Sequence, residues 1–435
     1  MRPPASAMAR AKAGRDFELR NVRNFKSSQK KMNTQELIKA ELQRLEESKT
    51  FKYETALQSP QGGRVKVGGK ELVMLASNNY LGMSNHPLVR KAAMEGIKKF
   101  GYGVASARFL CGTQTIHQQL EKEISKFIGT DDSLLFSSSF AANVGFFSAI
   151  TNEKLGLENY KDVIYSDKLN HASIIDGQRL CRPEVTEKKI YNHADTADLE
   201  RQLEEDKNKD FRFRIIATDG VFSMEGDMAP LQRLVALKEK YGAMLFMDDA
   251  HGIGAVGNRG RGVAEHFGLL GKTDVIVGTL GKAIGGAAGG FVGGSAEMVS
   301  YLRQKARTYV FSNSLPPSIV MGSLAAIKLL SKDRSIVRKL QDNTAYFRRE
   351  IKNLGFKIID GSHPIVPIML FEASVAQDMS AALQKEGVYI KGLWYPVVAK
   401  GEARLRGQIS AAHTRKDLDR ALEAFARVGK RMKVI

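Results

Sequence analysis

One lysine stands out for the company it keeps. Residues 274–295 read DVIVGTLGKAIGGAAGGFVGGS, a short β-branched run (Val275–Val277), a small-residue turn, and then Lys282 amid glycines and alanines. A lysine at the end of a buried strand loses solvation, so its pKa falls and the neutral amine becomes a nucleophile. Small neighbours leave room for a flat ring against the backbone. The chemistry this suits is a Schiff base to pyridoxal phosphate. Three other readings fit less well. A membrane span would hold a central lysine and too many glycines. A dinucleotide-binding loop needs G-x-G-x-x-G where Thr279–Lys282 stands. Gly271-Lys272-Thr273 lacks the glycine five residues earlier that a P-loop requires.

Pyridoxal phosphate makes four further demands, and each has a candidate. The ring nitrogen stays protonated beside a buried carboxylate, and Asp248 directly follows the apolar run Met244–Met247. His251, three residues on, can reach the ring's phenolic oxygen. The phosphate needs N–H groups at a helix start plus hydroxyls, which Ser139, Phe140 and Thr279 supply. A flat partner for the ring is His171 in Asn170-His171-Ala172-Ser173; a histidine bonded to nearby backbone is an equally good reading of that position. A substrate carboxylate calls for an arginine fork. Arg404 and Arg406 lie two residues apart on a strand, so alternation puts both on one face and spacing does not choose between them.

The elements that must position these residues follow a strand–loop–helix rhythm. Strands are expected at Leu134–Phe136, Asp162–Tyr165, Arg214–Ala217, Met244–Met247 and Asp274–Val277, each followed by polar residues. That pattern means an α/β fold with a large, mostly parallel sheet and a site at the strands' carboxyl ends. Helices are expected at Gln35–Ser48 and Leu88–Lys99. Another carries the apolar face Ile116, Leu120, Ile124 and Phe127, with His117 exposed. Beyond Phe311–Pro317 the texture shifts to a smaller α+β domain. It has a long helix over Pro317–Leu354, strands at Ile365–Leu370, Gly387–Ile390 and Ala403–Ile409, and a last helix opened by a Thr414/Asp417 capping box. The expected divisions are 1–31 (a basic extension), 32–75 (a helix and strand segment), 76–315 (the large domain) and 316–435 (the small domain).

At 435 residues the chain can bury several cooperating cores. Its formal charge of +19 raises nucleic-acid binding as a reading from another class. The scattered Lys and Arg, and the lack of a zinc-ligand or RNP-like motif, point instead to a solvated basic surface that also suits an acidic small molecule. Two cysteines suggest a reducing compartment. No apolar run is long enough to span a bilayer, so no membrane partner is expected. Residues 1–31 are basic and acid-poor. They read either as sequence upstream of a natural start at Met32, with a cytoplasmic enzyme, or as a mitochondrial presequence.

With these residues in place, the chain from Met32 onward resembles the α-oxoamine synthases. These are pyridoxal-phosphate transferases of fold type I, the aspartate-aminotransferase-like fold. The stretches ARFLCGTQTIHQQLE (107–121), LNHASIIDGQRLC (169–181), ATDGVFSMEGD (217–227), FSNSLPP (311–317) and YPVVAKGEARLRGQISAAHT (395–414) are most similar to the branch that joins glycine to acetyl-CoA. The resemblance implies that Lys282 bonds the cofactor and moves the Cα proton, and that Asp248 and His251 hold the ring nitrogen and phenolic oxygen. It implies that His171 stacks on the ring and that Ser223 contacts the cofactor. The phosphate would take Ser139, Phe140 and Thr279, with Ser312 and Asn313 reaching across from a partner subunit, so a homodimer with shared sites is expected. Asn78 and Arg406 would position the glycine carboxylate. Ser138–Asn143 is closer to the general family form than to that branch's own, which leaves a sister synthase with another acyl-CoA, or with alanine or serine, as the alternative. Thr151–Lys161 reads as a small insertion that lengthens a loop.

Overall fold

Residues 33–48 and 50–435 are described by the structure, a computed structural model; the basic extension 1–31 lies outside them. The first helix, Thr34–Glu47, begins where Asn33 accepts the Glu36 N–H at 3.0 Å and Glu36 accepts the Asn33 N–H at 2.8 Å. This reciprocal cap satisfies two donors that the first turn leaves unpaired. The helix belongs to a compact unit ending at Ala56; Leu57–Ile435 forms a second.

The second unit carries thirteen strands among its described residues. They are β1 (Arg64–Val67), β2 (Lys70–Met74), β3 (Asp132–Phe136), β4 (Asp162–Asp167), β5 (Thr186–Tyr191), β6 (Phe213–Asp219), β7 (Met244–Asp248), β8 (Val275–Thr279), β9 (Gly290–Gly294), β10 (Ile365–Phe371), β11 (Val388–Tyr389), β12 (Gly392–Leu393) and β13 (Ala403–Gln408). Seven build the large sheet in the order β3-β9-β8-β7-β6-β4-β5. It is parallel except at β9, which runs antiparallel to β3 and β8. Successive strand residues point to opposite faces. Leu245, Met247 and Ile276 therefore enter one buried cluster, while Phe246, Val275 and Val277 enter another. Both faces are covered, which is why these strands read as continuous apolar runs. Smaller sheets join β1-β2-β11 and β10-β13-β12. A third core gathers Val366, Ile368 and Leu405 with Leu418, Ala421, Leu422, Phe425 and Val428 of the last helix, Arg415–Arg431. Among the described residues no helix is long and apolar enough to cross a membrane.

Several sequence expectations change. His117 is fully buried, not exposed. Its Nδ1 accepts the Gln114 N–H at 3.1 Å and its Nε2 bonds the Leu315 carbonyl at 2.9 Å, so both ring nitrogens are satisfied out of water. The helix expected over Pro317–Leu354 is two, Pro317–Lys332 and Ser335–Asn353. Asp333 turns extended between them and accepts the Ser335 N–H at 2.7 Å. Gly387–Ile390 shortens to β11, which pairs with β2 instead of β10 and β13. Two strands had no strand-like signal. β5, with the sequence TEKKIY, lies at the sheet edge and keeps polar side chains in solvent. β9, with the sequence GFVGG, is fully buried, yet a Cβ on Gly290 would lie 2.2 Å from the Ser139 nitrogen. Glycine is required there so that the helix Ser139–Asn152 can start against the sheet.

Candidate active site

The carboxyl ends of β4, β6, β7 and β8 open on one cleft. It is lined by Ser139, His171, Asp219, Val221, Asp248, Ala250, His251 and Lys282. A larger open hollow of about 490 Å³ lies at the opposite edge, where these strands begin, and none of the expected site residues lines it. Chemistry, not size, marks the site.

Lys282 follows β8 in a turn shaped by Thr279. The threonine hydroxyl accepts the Gly281 N–H at 3.1 Å and donates to the Gly289 carbonyl at 3.2 Å. Burial lowers the lysine's pKa to about 8; Asp248 and Asp219 oppose that shift and Arg406 adds to it. The amine is thus far easier to deprotonate than a surface lysine.

Asp248 is the last residue of β7, and two donors hold its carboxylate. The Ala250 N–H reaches Oδ1 at 2.9 Å, and the Asn143 amide reaches Oδ2 at 2.6 Å. That amide also donates to the Ser173 hydroxyl at 2.7 Å, tying two helix starts to the β7 end. His171 caps the helix Ala172–Arg179, its Nδ1 accepting the Ser173 N–H at 3.2 Å. Burial pushes its imidazole below the usual pKa; Asp248 opposes this and Lys282 reinforces it. His171 therefore meets a ligand as a neutral ring. His251 is held well below its usual pKa by burial, with the charges of Lys282 and Arg406 adding to the effect.

Ser138, not Ser139, caps the helix Ser139–Asn152, accepting the Ala141 N–H at 3.0 Å. The N–H groups of Ser139 and Phe140, at the first turn, have no carbonyl a turn earlier to bond and remain available to an anion. The two arginines of β13 part company. Arg404 is buried, with its guanidinium on the Met224 carbonyl at 3.1 Å, Glu225 at 3.3 Å and Glu402 at 2.9 Å. Arg406 keeps two buried nitrogens, Nε and Nη2, with no partner. A buried guanidinium left open is costly unless an anion completes it.

Seven expected residues stand outside the cleft lining: Phe140, Thr279 and Arg406, described above, and Asn78, Ser223, Ser312 and Asn313. Ser223 sits half-buried in the turn after β6. Asn78 accepts the Gln408 amide. Ser312 and Asn313 line a separate hollow with Arg108 and Leu315. Of the three lining residues that the sequence reading missed, Asp219, Val221 and Ala250, one is ionisable. Asp219 ends β6 directly beside Asp248 on β7, is 4% exposed, and keeps Oδ1 unpartnered while Oδ2 accepts the His171 N–H at 3.1 Å. Burial and the neighbouring Asp248 raise its pKa well above the carboxylate norm. The signal was available: continuing the β6 run two residues past Ala217 puts an acid at the strand end.

These groups fit pyridoxal phosphate: an amine with a lowered pKa, a fixed carboxylate, an open helix start and an unpaired guanidinium. The comparisons agree. The family description "Aminotransferase class I and II" matches residues 70–425. The chain is 45% identical over 400 residues to the 8-amino-7-oxononanoate synthase of Thermoanaerobacter pseudethanolicus, covering 92% of this chain and 98% of that one. It is 44% identical over 396 residues to the mitochondrial 2-amino-3-ketobutyrate coenzyme A ligase of Homo sapiens, covering 91% and 92%. The chain belongs to the α-oxoamine synthases. A serine palmitoyltransferase of S. paucimobilis, solved with PLP bound, matches this α-oxoamine synthase at a TM-score of 0.84 and 31% identity, covering 92% of this chain and 98% of that one. The fold is the aspartate-aminotransferase-like fold of these enzymes, and the cofactor is pyridoxal phosphate. As an α-oxoamine synthase the protein is a pyridoxal-phosphate-dependent acyltransferase.

Proposed function

We propose that this synthase condenses glycine with acetyl-CoA to give 2-amino-3-oxobutyrate and CoA. The observation that carries the amino-acid half is Arg406, whose open guanidinium shares the site with Lys282. When bound, pyridoxal phosphate draws electrons from the amino acid's Cα and so acidifies its proton. Lys282 takes that proton and returns one after the new carbon–carbon bond has formed. The bond joins Cα to the acetyl carbonyl carbon; the carbon–sulfur bond breaks, and the thiolate leaves and is protonated. Asp248 would hold the cofactor's ring nitrogen and keep it protonated, His251 would hold its phenolic oxygen, and Ser223 would contact the cofactor. His171 would stack on the ring. Ser139, Phe140 and Thr279 would hold the phosphate together with Ser312 of the partner subunit and Asn313 of the partner subunit. Arg406 binds the amino-acid carboxylate in a bidentate fork beside Asn78.

The acetyl preference draws support from the 2-amino-3-ketobutyrate ligase relatives, and the 45% match to the 8-amino-7-oxononanoate synthase favours a second reading. In that reading pimeloyl-CoA and alanine are the substrates. Turnover of acetyl-, succinyl-, pimeloyl- and palmitoyl-CoA with glycine, alanine and serine decides between them. Glycine with acetyl-CoA should give the highest kcat/KM, and a tenfold preference for any other pair overturns the assignment. Lys282→Ala should abolish turnover with every pair.

A further inference from the structure

Three separate parts of the second unit meet at one fully buried hydroxyl, that of Tyr80. Tyr80 comes from the loop after β2, His251 from the turn after β7, and Gln408 from the end of β13. The hydroxyl lies 2.9 Å from His251 Nδ1, 3.3 Å from the Gln408 amide nitrogen and 3.4 Å from Asn78 Oδ1. The Gln408 amide also donates to Asn78 Oδ1. The edge of the tyrosine–histidine pair Tyr80/His363 closes the other side, with ring centroids 5.5 Å apart. His363 in turn bonds the His251 backbone carbonyl at 3.0 Å.

The protons in this cluster can be assigned. An amide NH₂ only donates, so the Tyr80 oxygen is an acceptor toward Gln408. Tyr80 has a single proton, and two acceptors compete for it. Asn78 Oδ1 is farther away and already takes the Gln408 amide; His251 Nδ1 is closer. A bond from the Tyr80 hydroxyl to Nδ1 requires a neutral His251 whose proton sits on Nε2. Nε2 has no partner among the described residues, and His251 lines the Lys282 cleft. In the competing arrangement Nδ1–H donates to Tyr80, and Nε2 is bare and unable to donate to an anionic oxygen.

We propose that Tyr80 is a positioning residue for His251: its hydroxyl holds Nδ1 as an acceptor, so that Nε2–H is the donor presented to the cleft. Gln408 and Asn78 fix the hydroxyl in turn. Gln408 lies two residues beyond Arg406 on β13, so the cluster joins the amino-acid side of the site to the cofactor side. The role toward the phenolic oxygen rests on the cofactor reading above; the tautomer does not.

The test is nitrogen-15 NMR of histidine-labelled protein, without and with pyridoxal phosphate, with His251→Asn used to assign the signals. The expected result is an unprotonated Nδ1 and a protonated Nε2 on His251 in both states. In Tyr80→Phe, which conserves ring volume, the Nδ1 signal should move toward the protonated position and the cofactor's visible band should shift. kcat should fall about tenfold, the worth of one neutral hydrogen bond, with KM for the amino acid within about twofold. A thermal melt reports whether the variant folds. A protonated Nδ1 in the wild-type protein overturns the proposal whatever the variant does, as does a folded Tyr80→Phe with unchanged nitrogen signals and an unchanged band. A wild-type protein that takes up no cofactor would instead refute the reading of the site, while the nitrogens alone would still decide the tautomer.

Discussion

Lys282 titrates where a reacting amine is useful, because burial outweighs the two acids that face it. Capture of the cofactor's aldehyde needs the neutral amine. The rate of cofactor uptake by the cofactor-free protein should therefore rise about tenfold per pH unit below about 8 and level off above it. Stopped-flow absorbance checks this, and a rate that keeps climbing toward pH 10 would mean an ordinary lysine. The two arginines of β13 make a second contrast at this scale. Arg406→Lys loses a bidentate fork and should raise KM for the amino acid at least tenfold at little cost in stability. Arg404→Met strips the partner from Glu225, whose own pKa burial already raises. It should lower stability by roughly 2–3 kcal/mol, with any loss of activity following the loss of folded protein. Steady-state kinetics and urea unfolding on both variants separate the two outcomes.

At the scale of elements, the active-site strands depend on close contacts that leave no slack. Gly278 in β8 faces the Phe291 ring of β9, and a Cβ there would lie 2.2 Å from the ring. Gly278→Ala should cost about 1–3 kcal/mol through overpacking, read as a drop in the urea midpoint. His193 ties the chain after β5 to the end of β4 and the turn after β6. Its Nδ1 bonds Asp167 at 3.0 Å and its Nε2 bonds Asp227 at 2.9 Å. Burial works against the charged ring, but the two carboxylates prevail and raise its pKa to about 10. Because the folded pKa exceeds the unfolded one, the clamp contributes fully below about pH 6.5 and is lost as pH rises through about 10. The melting temperature of the wild-type protein should exceed that of His193→Asn at pH 6, and the gap should close by pH 10.5.

For the whole molecule, the proposal draws two phosphate contacts from a partner chain. Ser312 and Asn313 lie away from the Lys282 cleft of their own chain, in a hollow beside Arg108. If they serve a partner's phosphate, mixing subunits of Lys282→Ala with those of the double variant Ser312→Ala/Asn313→Ala should restore activity. Random reassortment puts one intact site in each hybrid dimer, about a quarter of wild-type activity in all. No recovery after verified subunit exchange would place each site within a single chain. A sedimentation measurement of a monomer at working concentration would do the same.

Much of this was legible in the chain itself, for physical reasons that act locally. A parallel sheet covered on both faces writes its strands as short apolar runs, and polar residues just after them mark the ends that face the cleft. That is how Asp248, His251, His171 and Lys282 could be gathered before any coordinates. Motif similarity carried the family, because the matching stretches are spread along the whole chain from Met32 onward. Tertiary structure alone decided what depends on partners distant in sequence. Arg404 and Arg406 share a strand face, and only the carbonyl of Met224 and the carboxylate of Glu225, some 180 residues away, show which guanidinium is already satisfied. His117 looked like a surface residue because nothing local reveals that the Leu315 carbonyl waits for it. β9 was not among the expected strands because glycine disfavours strands, and the helix start that demands glycine lies about 150 residues upstream. Tyr80 became part of the site only once folding had set it against His251, since a side chain's hydrogen-bond partners are a property of the packed molecule.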